Sequence, residues 1–88
     1  MRVTLTHPVA ATVDQHGRLL LTVSETGARH VLDPPHTAMW IALWRHGGDV
    51  DEAADALARS WDDDPDRVRA DLRRWAAHLC AIGLAAGA

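Results

Sequence analysis

The sequence predicts an α+β fold: a three-stranded antiparallel sheet followed by three helices. Two observations carry this. Apolar residues recur at every second position up to Leu32 and at helical spacing after it, and Asp33-Pro34-Pro35 separates the two regimes. With 88 residues the chain has room for one domain with one modest core, spanning residues 1–88 with its ordered centre at about 9–84.

Pro8 opens the first extended stretch, in which Val9, Ala11 and Val13 alternate with Ala10 and Thr12 in a half-buried pattern. Asp14-Gln15-His16-Gly17 reads as a turn, after which Leu19, Leu21 and Val23 form a second strand folding back as a hairpin. Ser24-Glu25-Thr26-Gly27 makes the next turn, and Ala28 to Leu32 is the last strand of the meander. Its inner side pairs with the preceding strand; its outer side is an open edge, which is either an aggregation liability or a binding site. Residues 1–7 also alternate, with Val3 and Leu5 on one side, and are expected to extend the first strand or form a loose arm.

Asp33 before two prolines starts a helix, since its carboxylate caps exposed amides and a proline in the first turn loses no hydrogen bond. That helix runs to about His46, where Gly47-Gly48 stops it. Ala38, Ile41 and Trp44 with Met39, Trp40 and Leu43 cover most of its circumference, which predicts burial on more than one side. Asp49 with Glu52 has capping-box spacing and begins a second helix, along which Val50, Ala53, Ala54, Leu57 and Trp61 recur. Asp62-Asp63-Asp64 before Pro65 starts a third, with the apolar stripe Val68, Leu72, Trp75, Leu79 and Ile82. Gly83 ends it, and Leu84 to Ala88 read as a short tail.

Composition narrows the function. Apolar residues make up 48% and charged residues 24%, as in an ordinary globular protein. No apolar run reaches the roughly 20 residues of a membrane span, and the N-terminus lacks the pattern of a signal peptide, so the expected location is the cytoplasm and no membrane partner is expected. Residues 1–46 carry four Arg against three acids, and residues 47–88 five Arg against nine. The helical half is thus acidic, which argues against nucleic-acid binding. Three helices beside a small sheet are also the make-up of a winged-helix DNA-binding protein, but Asp62, Asp63, Asp64, Asp66 and Asp71 surround the helix end that would approach bases.

Six histidines (His7, His16, His30, His36, His46 and His78) show no metal-binding spacing, and Cys80 has no partner cysteine and reads as core filler. The Asp62-Asp63-Asp64 run lacks the alternating ligands of a calcium loop. No nucleophile elbow, phosphate loop or dinucleotide fingerprint is present, so neither catalysis nor a cofactor is expected. Trp40, Trp44, Trp61 and Trp75 fall on or beside apolar stripes and are expected to build the core, which is the default reading over lining a groove.

The ordered set Leu32-Asp33-Pro34, Ala38-Met39-Trp40, Gly47, Val50-Asp51-Glu52-Ala53-Ala54, Leu57, Asp64-Pro65, Val68, Asp71-Leu72, Leu79 and Gly83-Leu84 resembles the PqqD-like family over about residues 9–84. These are small peptide-recognition domains of pathways that modify ribosomally made peptides, and Trp40 with the short length looks most like the stand-alone leader-binding proteins of lasso-peptide clusters. The resemblance implies that the leader of a precursor peptide adds as a strand beside Ala28, Arg29, His30, Val31 and Leu32. The third helix forms the other wall through Val68, Asp71, Leu72, Trp75 and Leu79. It further implies that the leader is held for a cysteine protease that cuts it off, before a separate ATP-dependent cyclase closes the ring. The chain departs from the family pattern at His30, in an aromatic position, and at Ala85-Ala86-Gly87-Ala88, whose small side chains argue against a closing strand.

Each ladder hydrogen bond contributes a net ~1 kcal/mol, and ordering each leader residue costs about 1 to 2 kcal/mol. Affinity must therefore come from apolar side chains entering pockets, at roughly 1.5 to 3 kcal/mol each. Asp71 and His78 flank one side of the third helix's stripe, Ala76 and Arg69 the other, and the sequence leaves open which flank faces the peptide. A structural subunit that pairs its strand edge with its own copy is a further alternative.

Overall fold

The local chemistry read from the sequence builds its elements where expected. A computed structural model describes residues 1–87. Asp14 closes the first hairpin by accepting from the backbone amides of His16 and Arg18 while pairing with the Arg18 guanidinium at 2.9 Å. Strands β2 (Val9–Val13), β3 (Leu19–Val23) and β4 (Arg29–Leu32) form an antiparallel sheet in that order, with Leu19 opposite Leu32 and Leu21 opposite His30. Ala28 falls just before β4, although its carbonyl already accepts from Val23 N–H at 2.8 Å.

Helices α1 (Pro34–Arg45), α2 (Val50–Trp61) and α3 (Pro65–Ala81) are capped by Asp33, Asp49 and Asp64, each accepting a backbone N–H of the first turn. A side chain also welds sheet to helix. The Thr37 hydroxyl accepts from Leu19 N–H at 3.0 Å and donates to Leu32 C=O at 3.3 Å, so it sits inside the ladder where β3 and β4 splay apart.

The core gathers Leu19, Leu21 and Val23 from β3, Met39, Trp40 and Leu43 from α1, Val50, Ala53, Ala54 and Leu57 from α2, and Val68, Leu72, Trp75 and Leu79 from α3. Three apolar residues assigned to buried stripes are exposed: Ile41, Trp61 in the last turn of α2, and Ile82, which is the C-cap of α3. Trp61 and Ile82 sit at helix ends, where the chain leaves the core, whereas Ile41 lies within α1 on its solvent-exposed face. Strand β2 departs from expectation as well. Val9 is half-buried, but Ala11 and Val13 are exposed, because the helices do not reach over this edge of the sheet.

The chain ends bring the largest correction. Residues 3–5 neither extend the first strand nor form a loose arm, and Ala85–Gly87 is not a tail. They are β1 (Val3–Leu5) and β5 (Ala85–Gly87), paired antiparallel in a separate two-stranded sheet with Leu5 opposite Ala85. Ala88 lies outside the described residues. β1 is also strapped to the turn between α1 and α2: Val3 N–H donates to Gly48 C=O, and Val50 N–H to Met1 C=O, both at 2.9 Å. Gly48 allows this approach, since its φ is +84° and a Cβ there would overlap the carbonyl oxygen of Val3. The small residues 85–87 suit a strand lying flat against this assembly, with Val3 and Ala85 buried.

Candidate functional site

Hydrogen-bond alternation determines which backbone groups of β4 face outward. In an antiparallel pair, successive residues point their N–H and C=O alternately toward and away from the neighbouring strand. Val23 N–H bonds Ala28 C=O, and the Thr37 bridge joins Leu19 N–H to Leu32 C=O, so Ala28, His30 and Leu32 face β3. The N–H and C=O of Arg29 and Val31 therefore point to the open edge. β4 has no strand on that side among the described residues.

Side chains alternate the other way. His30 and Leu32 share the helix-facing side with Leu21 and Leu19 and are half-buried, whereas Arg29 and Val31 lie on the outer face, Val31 67% exposed.

Where β4 runs into α1, a cleft of about 540 Å³ opens between α1 and α3, lined by Pro35, His36, Met39, Asp71, Arg74, Trp75 and His78. Asp33 organises its mouth. One carboxylate oxygen accepts from the His36 backbone N–H at 3.0 Å and lies 2.8 Å from its ring Nδ1. The backbone bond, foremost, and the imidazole beside it hold the Asp33 carboxyl below the usual carboxylate range. The His36 ring is thereby fixed over Trp75, with ring centroids 5.4 Å apart, and Trp75 meets Trp40 edge to face at 6.5 Å. Trp75 is thus immobilised with one part of its surface offered to the cleft. Asp71 and Arg74 pair at 3.6 Å on the rim, one turn along from His78.

Of the wall residues expected from the sequence, Asp71 and Trp75 line this cleft. Val68, Leu72 and Leu79 are at most 2% exposed and point into the core, where they hold α3 in place. Asp71 and His78 face the cleft, while Ala76 is fully buried and Arg69 turns to α2, bonding Asp55 at 2.9 Å. His36, Met39 and Arg74 were not singled out from the sequence. His36 was legible in principle, as the residue whose amide the Asp33 cap must meet, and Arg74 as a helical neighbour of Asp71 and His78. A second depression, of about 350 Å³, lies at one end of the sheet; Val31 contributes to it and α3 does not.

The arginines of α3 are occupied. Arg73 forks onto Asp51 at 3.0 and 3.1 Å, Arg69 bridges Asp55 and Asp66, Arg67 lies 3.9 Å from Asp63, and Arg74 pairs with Asp71.

An open-edged three-stranded sheet backed by three helices, with a separate two-stranded sheet of the chain ends set against α3 and the α1–α2 turn, defines a small winged-helix-like α+β protein. Residues 18–85 match the family model described as coenzyme PQQ synthesis protein D (PqqD), and the chain belongs to that family. Among solved structures, the one described as TbiB1 in complex with the TbiA(beta) leader peptide shares this fold: the TM-score is 0.80 at 24% identity, over 97% of this chain and 96% of that one. A search of the curated proteins finds no match. No helix among the described residues is long and apolar enough to cross a membrane.

Proposed function

We propose that this protein is a non-catalytic recognition element that binds the leader region of a ribosomally made precursor peptide. The leader adds as a strand to the edge of β4, beside α3, in a cytoplasmic lasso-peptide pathway. The observation that carries the reading is the outward-facing N–H and C=O of Arg29 and Val31 on an edge that runs into an apolar cleft walled by Trp75. The likeness to a protein solved with a leader peptide supports it.

The division of labour follows from magnitudes. Backbone pairing sets register and direction but roughly cancels against the ordering of the peptide, at about 1 kcal/mol gained and 1 to 2 kcal/mol lost per residue. The cleft must supply the affinity, through an apolar leader side chain packed on Trp75 and Met39. Precursor held by its leader in this way is presented to a leader peptidase, before a cyclase acts on the peptide. Pairing of the α3 arginines with acids leaves little free positive charge on that helix for a phosphate backbone, which weighs against the DNA-binding alternative.

The test is a fluorescence titration of the protein with the synthetic leader of the precursor encoded beside its gene. A saturable change in tryptophan emission is expected, because the ligand packs on Trp75. No response at tens of micromolar, about the level expected for a weak transient complex, overturns the reading.

A further inference from the structure

The sheet has a second open edge, at β2, and its chemistry differs from that of β4. Asp14 N–H donates to Arg18 C=O and Ser24 N–H to Pro8 C=O, so the even-numbered residues 8 to 14 face β3. By alternation, the N–H and C=O of Val9, Ala11 and Val13 point outward. Among the described residues nothing covers them, and the strand has no charged residue, no bulge and no internal proline, the usual devices that blunt an edge. Val13, on the helix-facing side with Leu19, is 53% exposed. No α3 wall stands beside this edge to capture a peptide side chain.

The strand reads Val9-Ala10-Ala11-Thr12-Val13, nearly the same in both directions. We propose that β2 pairs with β2 of a second copy of this chain, antiparallel about a two-fold axis through Ala11. That register places Val9 opposite Val13 of the partner and Ala11 opposite itself. All of these are residues with outward-facing backbone groups, so each pair exchanges both of its bonds. The valine pairs fall on the helix-facing side and cover the exposed Val13, while Ala10 and Thr12 meet on the other face without crowding. At each end, the turn carrying Glu25 in one copy meets the Asp14–Arg18 ion pair of the other, in which Asp14 is already matched by Arg18. The product is one continuous sheet with both β4 edges on its outside, so the proposal neither requires nor blocks peptide binding at β4.

A single strand with small side chains supports only weak association, so the full chain is studied by sedimentation equilibrium up to a concentration on the order of 1 mM. The apparent mass is expected to climb toward twice that of the chain; a monomer mass independent of concentration overturns the proposal. Ala11→Pro removes an outward N–H without touching the β2–β3 ladder, and is expected to leave the circular dichroism intact and the mass monomeric. Persistence of the dimer in this variant places the contact elsewhere and also overturns the proposal.

Should Ala11→Pro fail to fold, register is read by oxidation of cysteine variants in a Cys80→Ala background. Ala11→Cys is expected to cross-link to itself. Val9→Cys is expected to cross-link to Val13→Cys in a mixture but not to itself, since Val9 and its own copy lie more than about 13 Å apart. Self-linking of Val9→Cys with none at Ala11→Cys contradicts the register, whichever way leader binding turns out.

Discussion

His30 and Val31 are chain neighbours with opposite backbone duties, and a proline separates them. The Val31 amide points to the open edge, so Val31→Pro is expected to leave the sheet intact. It should weaken leader binding at least about tenfold, the equivalent of about 1.4 kcal/mol, by removing one ladder bond and crowding its neighbour. The His30 amide belongs to the β3 ladder, so His30→Pro is expected to lower the melting temperature of the protein before any peptide is added. Thermal melts together with titration of both variants check the pair. Equal binding by Val31→Pro and the parent would show that the edge is not the docking line. That the strand ends a meander was legible from its alternation and its proline stop, but which amide faces outward was not. Outward facing depends on where the ladder begins, and only the Val23 to Ala28 bond and the Thr37 bridge establish that parity.

At the scale of elements, the helices were readable because each carries its own punctuation. Asp33 with two prolines, Asp49 with Glu52, and Asp64 with Pro65 are local signals that do not depend on the rest of the chain. The clasp of β1 and β5 had no such signal. Its strands are three residues each, lie at opposite chain ends, and consist on one side of Ala-Ala-Gly, so neither length nor periodicity marks them. The hidden sign is Gly48, conspicuous in the sequence only as a helix stop. Gly48→Ala is expected to destabilise the protein by more than about 1 kcal/mol, because a side chain at positive φ is strained and its Cβ would displace the Val3 strap. Chemical denaturation measures the loss. An unchanged midpoint would mean that the clasp contributes nothing to stability. The cleft was half legible for a related reason. Asp71, Trp75 and His78 share one helix and their spacing is local, whereas His36 and Met39 enter from α1, and no periodicity reports which faces of two helices meet.

For the whole molecule, three of the carboxylates that close turns and helix starts set the acid limit. Asp14, Asp33 and Asp49 are each held below the ordinary value of 3.8, foremost by the backbone amides of Arg18, His36 and Glu52 respectively. A folded value below the unfolded one means that the stabilisation is complete above 3.8 and is lost as the pH falls through the folded values. Denaturation midpoints are therefore expected to be insensitive to these groups above about pH 5 and to decline below about pH 4; a rise in stability on acidification contradicts the caps. The architecture then makes one statement about function. The three-stranded sheet packed on three helices leaves the N–H and C=O of Arg29 and Val31 open on β4, which runs into α1 beside a cleft where Asp33 and His36 hold Trp75 in place. Amide hydrogen exchange, followed residue by residue with and without the leader peptide, tests this directly. The account predicts that Arg29 and Val31 gain protection on binding while His30 and Leu32, already engaged toward β3, and Ala28, whose amide donates to the Thr26 hydroxyl at 3.2 Å, change little. Binding that leaves Arg29 and Val31 exchanging as fast as before would contradict strand addition at β4.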